Sequence, residues 1–392
     1  MTVTAFVFLE IKLVEFLTFF FCGKKMEKTS TSKSFWKCAV WPILVYGLAE
    51  GLRWGHDVDY NVYAIRFRNI NYWVTSAEHS NPLFSVIVYF LKLVGCPYTV
   101  FLILQCMFLI FSAALVVKYF KSYARWIFPC LLIVFLPNEN FIRFYLSFSF
   151  LLVGIYFLFG QKIKLYAFFA LLASLTHFAM APMACFFIFM LLFKNVRINI
   201  KAVVVVFILS VFFGSIQDFG FLVTISNWIG KVFHSFDNQG MLYLNGMDRI
   251  IAGEAGGGMG ISLAKTSNQL KRIAIYVPML VLLYSHIKNI KWGQYAYNIV
   301  MINCITSPIM NQVELLGRFS NVLDFFSAIV MGVFAKEYLK KGSESRYVIV
   351  VIISLFCFFY SLINSPFVRE DDRMYYIWDS KGQYINWNAF RD

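Results

Sequence analysis

The stretch Gly51-Leu52-Arg53-Trp54-Gly55-His56-Asp57-Val58-Asp59-Tyr60-Asn61-Val62-Tyr63 sets a guanidinium, an imidazole, two carboxylates and three aromatic rings directly behind an apolar run. Asp57 and Asp59 are two residues apart, and a carboxylate beside a sugar can take the proton of an attacking hydroxyl. Arg53 either binds an anion or caps the helix that ends near Glu50, because a cation is favourable at a helix C-terminus. His56, Asp57 and Asp59 are packed tightly with no distant partner, so no metal centre is read from them. Arg66 and Arg68 suit lipid headgroups or solvent as well as they suit a substrate.

Three single residues extend this set. Arg143 lies in Pro137-Asn138-Glu139-Asn140-Phe141-Ile142-Arg143, a very short connection that leads into an apolar helix. A guanidinium offers planar, bidentate donors and stays charged, which suits a phosphate or diphosphate. Interfacial snorkelling, or pairing with Glu139, is the structural alternative. Arg318 repeats the situation in Glu314-Leu315-Leu316-Gly317-Arg318. Further on, Asp324 falls inside an apolar run, where a carboxylate is costly unless it is paired or faces a wet cavity. Its spacing from Arg318 is not that of an i,i+4 bridge, so it is read as a substrate contact, with packing against another helix's polar group as the alternative. His177, in Leu175-Thr176-His177-Phe178-Ala179, breaks two apolar runs and is either a base level with Arg143 or a hydrogen-bonded structural residue.

The elements that must position these residues are membrane helices. The chain of 392 residues is 60% hydrophobic and 14% charged, contains 45 Phe, and has a mean hydropathy of +0.67, outside the range of soluble domains. Apolar segments recur along its whole length at roughly the 17–25 residues needed to cross a bilayer as helix. The fold class expected is therefore all-α and polytopic, a single integral membrane domain over residues 1–392. The net charge of +14 does not signal nucleic acid, because the lysines occupy short loops between apolar runs. The eight cysteines form no C-x-x-C pair and read as small buried hydrophobes. The first run, Thr4 to Cys22, lacks a basic leader and a small-residue cleavage site and reads as a retained anchor, although Glu10, Lys12 and Glu15 interrupt it.

Runs bounded by charge or turn residues predict about 12 transmembrane helices, near 4–22, 36–50, 98–117, 126–137, 144–160, 165–176, 179–193, 202–217, 271–286, 295–313, 319–335 and 347–364. Six basic loops alternate with the others: Lys24 to Lys37, Lys118 to Arg125, Lys162 and Lys164, Lys194 to Lys201, Lys288 and Lys291, and Lys336 to Arg346. All six are cytoplasmic at once if residues 81–95 do not cross, so that segment is expected to be an amphipathic or re-entrant helix on the outer side. Glu27, Glu337 and Glu344 are then the inner-loop carboxylates, and the remaining acids gather outside. The outer side holds loop 51–81, loop 218–270 with Tyr243 as a candidate substrate contact, and the tail 365–392. The glycine run at 253–260 lacks the Gly-Lys-Ser/Thr ending of a P-loop and reads as a lid or gating loop.

Taken in order, Gly51-Leu52-Arg53, then Gly55, Asp57, Asp59 and Tyr63, then Glu78 ahead of Pro82-Leu83-Phe84, Ile142-Arg143 opening a helix, Leu172-Ala173-Ser174-Leu175-Thr176-His177-Phe178, and Arg318 before a late helix resemble the EpsG family of Wzy-like bacterial polysaccharide polymerases. The resemblance spans roughly residues 40–335. Asp59-x-x-x-Tyr63 fits the family pattern better than Asp57, and Phe144 stands where a polar residue is common. The resemblance implies a glycosyltransferase of the bacterial cytoplasmic membrane, acting at its outer face in O-antigen, capsule or exopolysaccharide assembly. Its donor and acceptor would both be undecaprenyl-pyrophosphate-linked oligosaccharides, with no cofactor or obligatory metal. Arg53, Arg143 and Arg318 would hold diphosphate, Tyr63 and Glu78 would contact substrate, and Asp57, Asp59 or His177 would be the base. The lipid bilayer and a chain-length regulator are the further candidate partners.

A flippase of lipid-linked oligosaccharide would also line a cavity with arginines, but it needs cations reachable from both leaflets. A membrane acyltransferase would use His177 as base, and no paired His-Asp motif supports it. A scaffold leaves the arginines of the short connections unexplained.

Overall fold

The computed structural model describes residues 3–54, 63–64, 67, 81–139, 141–213, 266–311, 314–340, 343–363 and 375–376. In chain order the helices are α1 (Val3–Glu27), α2 (Ser32–Gly51), α3 (Pro82–Leu93), α4 (Tyr98–Val117), α5 (Ala124–Val134), α6 (Ile142–Phe159), α7 (Ile163–Thr176), α8 (Met180–Phe189), α9 (Ile200–Phe213), α10 (Thr266–Leu283), α11 (Gly293–Met310), α12 (Glu314–Tyr338) and α13 (Ser345–Ile363). A two-residue antiparallel ladder joins β1 (Arg53–Trp54) to β2 (Tyr375–Tyr376), with Arg53 opposite Tyr376. The protein is an all-α polytopic membrane protein, and each apolar run read from the sequence contains a helix among its described residues. Borders move by several residues: α1 continues through Lys24 and Lys25, which suit a helix C-terminus, and α5 stops short of Leu136–Glu139, which form a 3-10 turn.

The apolar stretch 98–134 would be about 55 Å long as one helix, nearly twice the hydrocarbon thickness. It doubles back instead. Phe120 leaves helical geometry at φ −113°, ψ 26° within the 3-10 turn Lys118–Tyr123, and the amide of Gln105 on α4 donates to Asn138 just beyond α5 at 2.8 Å. Residues 142–159 and 317–338 are each long and apolar enough to cross by themselves. Helix α3, of 12 residues, is too short to cross. Its Phe84 and Val88 pack with Phe101 and Leu102 of α4 and Ile142 and Leu146 of α6, while Val86, Tyr89, Phe90 and Leu93 are exposed.

The six basic loops meet at one end of the bundle. Lys336 pairs with Glu27 at 3.3 Å and donates to the carbonyl of Ser122; Lys121 donates to the carbonyl of Thr29, and Lys118 to Ser32. Tyr119 reaches the carbonyl of Tyr156, Phe159 stacks on Trp292 at 4.6 Å, Lys194 lies over that same indole, and His286 meets Tyr338 edge to face. The three carboxylates of this end each pair with a cation: Glu27 with Lys336, Glu337 with Lys340 and Glu344 with Arg346. The opposite, far end receives the starts of α4, α6, α10 and α12.

Within the apolar interior, side-chain hydroxyls bond carbonyls of neighbouring helices, because hydrocarbon offers no alternative partner. Ser147 bonds the carbonyl of Ala173, Tyr295 that of Phe187, and Ser354 that of Ala274. Backbones also touch directly. A Cβ on Gly332 of α12 would lie 2.7 Å from the backbone nitrogen and 2.8 Å from the Cα of Ile127 on α5. Gly332→Ala should therefore destabilise the protein by about 1–3 kcal/mol through overpacking. Gly154→Ala, whose nearest neighbour would be 3.4 Å away, should be neutral or stabilising; thermal unfolding in detergent separates the two.

Candidate functional site

The site is built on the N-terminus of α6. Its N-cap residue is Phe141, which makes no side-chain cap, and the first turn contains Arg143 and no acid. First-turn N–H groups without an intrahelical acceptor and the helix dipole already favour an anion there, and a guanidinium in the same turn adds to that field. Arg143 is 9% exposed, with Cζ 5.8 Å from the ring centroid of Tyr63. Arg318, in the second turn of α12, places its Cζ 4.9 Å from the ring of Phe141. The connection preceding Arg143 is pinned from α4: Asn138 accepts from Gln105 and donates to the sulfur of Cys106 at 3.4 Å, and all three are buried.

His177 joins these two guanidiniums. It lies in the connection between α7 and α8, edge-on to Phe144 at 5.7 Å. Burial first, then the positive charges of Arg143 and Arg318, hold its imidazole well below its ordinary value of 6.5, so it is neutral. Its Nδ1 accepts the backbone N–H of Ala179 at 3.3 Å, which leaves the ring proton on Nε2. In this tautomer His177 is a hydrogen-bond donor, not a free base. Two guanidiniums, an imidazole N–H and an uncapped helix start thus occupy one place, and their shared complement is a multiply charged anion.

Asp324 belongs to a different cluster. Its Oδ1 accepts from Asn303 at 2.6 Å, Ser327 at 3.4 Å and Tyr276 at 3.5 Å, and the nearby cation is Arg272, not Arg318. Six residues on a helix turn about 600°, which puts Asp324 on another face of α12. A third cluster ties α1 to the end of α2: buried Lys12 bonds Glu50 and lies 3.2 Å from Glu15. Glu50 is in the last turn before Gly51, and a Cβ on Gly51 would lie 2.5 Å from the Cα of Ile103, so the exit toward Arg53 is held from two sides.

Of the residues read from the sequence, Arg143, Arg318, His177 and Tyr63 are brought together. Arg53 lies in β1, at the exit of α2. Asp57, Asp59, Glu78 and Tyr243 lie outside the described residues. The sequence reading missed Gln105, Asn138 and Arg272. A visible signal existed for Arg272: Lys271-Arg272 opens a helix at the end where the charge rule expects no cations.

Fold and site together define a helical membrane protein with a cluster of two guanidiniums and a buried imidazole at the end opposite its basic loops. The chain belongs to the EpsG family, whose family model matches residues 13–377, and is a membrane protein of the polysaccharide-polymerase type. No curated protein and no solved structure matches it.

Two outcomes follow from the buried charges. Because the folded state keeps His177 neutral, the unfolded chain binds an extra proton below pH 6.5; stability is unaffected by this group above that pH and falls progressively as pH drops from 6.5 toward the lowered folded-state value. Melting temperatures of wild type and His177→Gln, measured from pH 8 to 5, should therefore diverge in slope below about 6.5, with the wild type the more acid-sensitive. Lys12→Met leaves two buried carboxylates without their cation and should cost about 3–5 kcal/mol. Adding Glu15→Gln and Glu50→Gln should restore most of the folded yield in detergent.

Proposed function

We propose that this protein is a Wzy-type glycosyltransferase of the bacterial cytoplasmic membrane that polymerises undecaprenyl-pyrophosphate-linked repeat units at the outer face. The observation that carries the reading is the convergence of Arg143, Arg318 and the Nε2–H donor of His177 on the uncapped start of α6. The basic end would face the cytoplasm and the far end the exterior.

In this reading the acceptor hydroxyl oxygen attacks the anomeric carbon of the growing chain. The bond from that carbon to the diphosphate breaks, and its electron pair leaves on undecaprenyl pyrophosphate. Positive charge already in place stabilises the leaving group, with Arg143 and Arg318 on the phosphate oxygens and His177 donating one further hydrogen bond. The hydroxyl proton goes to a carboxylate of the 51–63 segment, Asp59 or Asp57, and Arg53, Tyr63 and Glu78 complete the substrate contacts. The donor tautomer of His177 supports giving the base role to an acid. Tyr243 remains a candidate contact from the long loop.

Arg143→Ala or Arg318→Ala in a producing strain should leave surface glycan of one repeat unit, with normal membrane insertion. Long glycan ladders in both mutants would remove the diphosphate clamp. Loss of even single-repeat glycan, with substrate retained at the inner face, would favour the flippase reading instead.

A further inference from the structure

Helices α10, α11 and α12 enclose a second polar centre that the anion cluster does not use. Arg272 donates to the hydroxyl of Ser307, and this is its one hydrogen bond among the described residues. Asp324 receives all three of its described donors, Asn303, Ser327 and Tyr276, on Oδ1, and none reaches Oδ2. Neither Oδ2 nor the guanidinium nitrogens of Arg272 are among the fully buried orphan atoms, and Arg272, Tyr276 and Asp324 are only partly buried. Their partners Ser307 and Asn303 lie one turn apart on α11, which brings the two charges to the same stretch of that helix, yet among the described residues they form no ion pair.

That separation calls for an account. Inside a membrane bundle a guanidinium and a carboxylate within reach of each other are expected to close into a bidentate bridge, since that is how each best replaces its lost hydration. Here other helices hold them apart: Ser307 keeps Arg272 on α11, and Asn303, itself accepting from Ser320 at 3.0 Å, keeps Asp324 turned toward it. The result is a carboxylate oxygen with no described donor and a guanidinium with one described bond, held one turn apart along α11 by Asn303 and Ser307. A phosphate does not suit it, because Asp324 repels an anion. A hydroxyl suits both sides, donating to the carboxylate and accepting from the guanidinium, and a pair of neighbouring hydroxyls suits them better.

We infer that Arg272 and Asp324 form a sugar-hydroxyl subsite, across α12 from the diphosphate clamp, that holds a saccharide of the lipid-linked substrate. This inference rests on the polymerase reading and adds to it the part of the substrate that α10–α12 recognise. It makes Arg272 a specificity-determining residue and gives Asp324 a contact with sugar, not with phosphate.

The test compares two ligands on purified protein in nanodiscs: bare undecaprenyl pyrophosphate, and the producing strain's undecaprenyl-pyrophosphate-linked repeat unit. Wild type should prefer the glycosylated ligand by about tenfold, the scale set by hydroxyls recognised in a site built for them. Asp324→Asn and Arg272→Lys should each reduce that preference to less than about threefold while leaving affinity for the bare carrier unchanged. Preference retained in both variants, no preference in wild type, or parallel loss of both ligands would overturn the subsite, the last showing that the network only holds helices together. Failure of wild type to bind the bare carrier would overturn the polymerase reading itself.

Discussion

Charge inside hydrocarbon must be partnered within the protein, and the packing of this bundle follows from how each buried charge meets that requirement. At the basic end Glu27 takes Lys336, Tyr123 donates to Glu337, and the carbonyls of Thr29 and Ser122 accept from Lys121 and Lys336, while Lys340–Glu337 and Arg346–Glu344 pair at the more exposed rim. At the far end Arg143 and Arg318 sit over aromatic faces beside a neutral imidazole.

The N-terminus of α6 is the pivot of that arrangement. Phe141 supplies the ring under Arg318 and Phe144 the ring against His177, while Arg143 lies between them in sequence. Two residues three apart thereby touch α12 and the α7–α8 connection from one helix start. Gln105 and Asn138 hold the preceding turn, and Ser147 fastens the next turn of α6 to α7.

Separate attachments at the other two centres explain how a single greasy bundle keeps distinct chemistries apart. Lys12 anchors the exit of α2, where β1 then pairs with β2. Helix α12 presents Arg318 on one face, over Phe141, and Asp324 on another, bonded to Asn303, so one helix carries both charges without letting them neutralise each other.

The helices, their order and the sorting of basic loops to one end were legible in the chain, because run length and loop lysines are local properties that bilayer thickness and membrane charge read directly. Arg143, Arg318 and His177 were visible as isolated polar residues at breaks in apolar runs, and there isolation itself was the signal. Their convergence was not visible, since which faces of α6, α7 and α12 meet depends on packing between segments far apart in the chain. The hydrogen bond from Ala179 that makes His177 a donor, the turning of Asp324 away from Arg318 toward Asn303, and the clasp of Lys12 on Glu50 were likewise decided only in three dimensions. A sequence states which charges must find partners; the rotation and depth of each helix choose the partners, because hydrogen bonds act over a few ångströms and the chain separates their ends by dozens of residues.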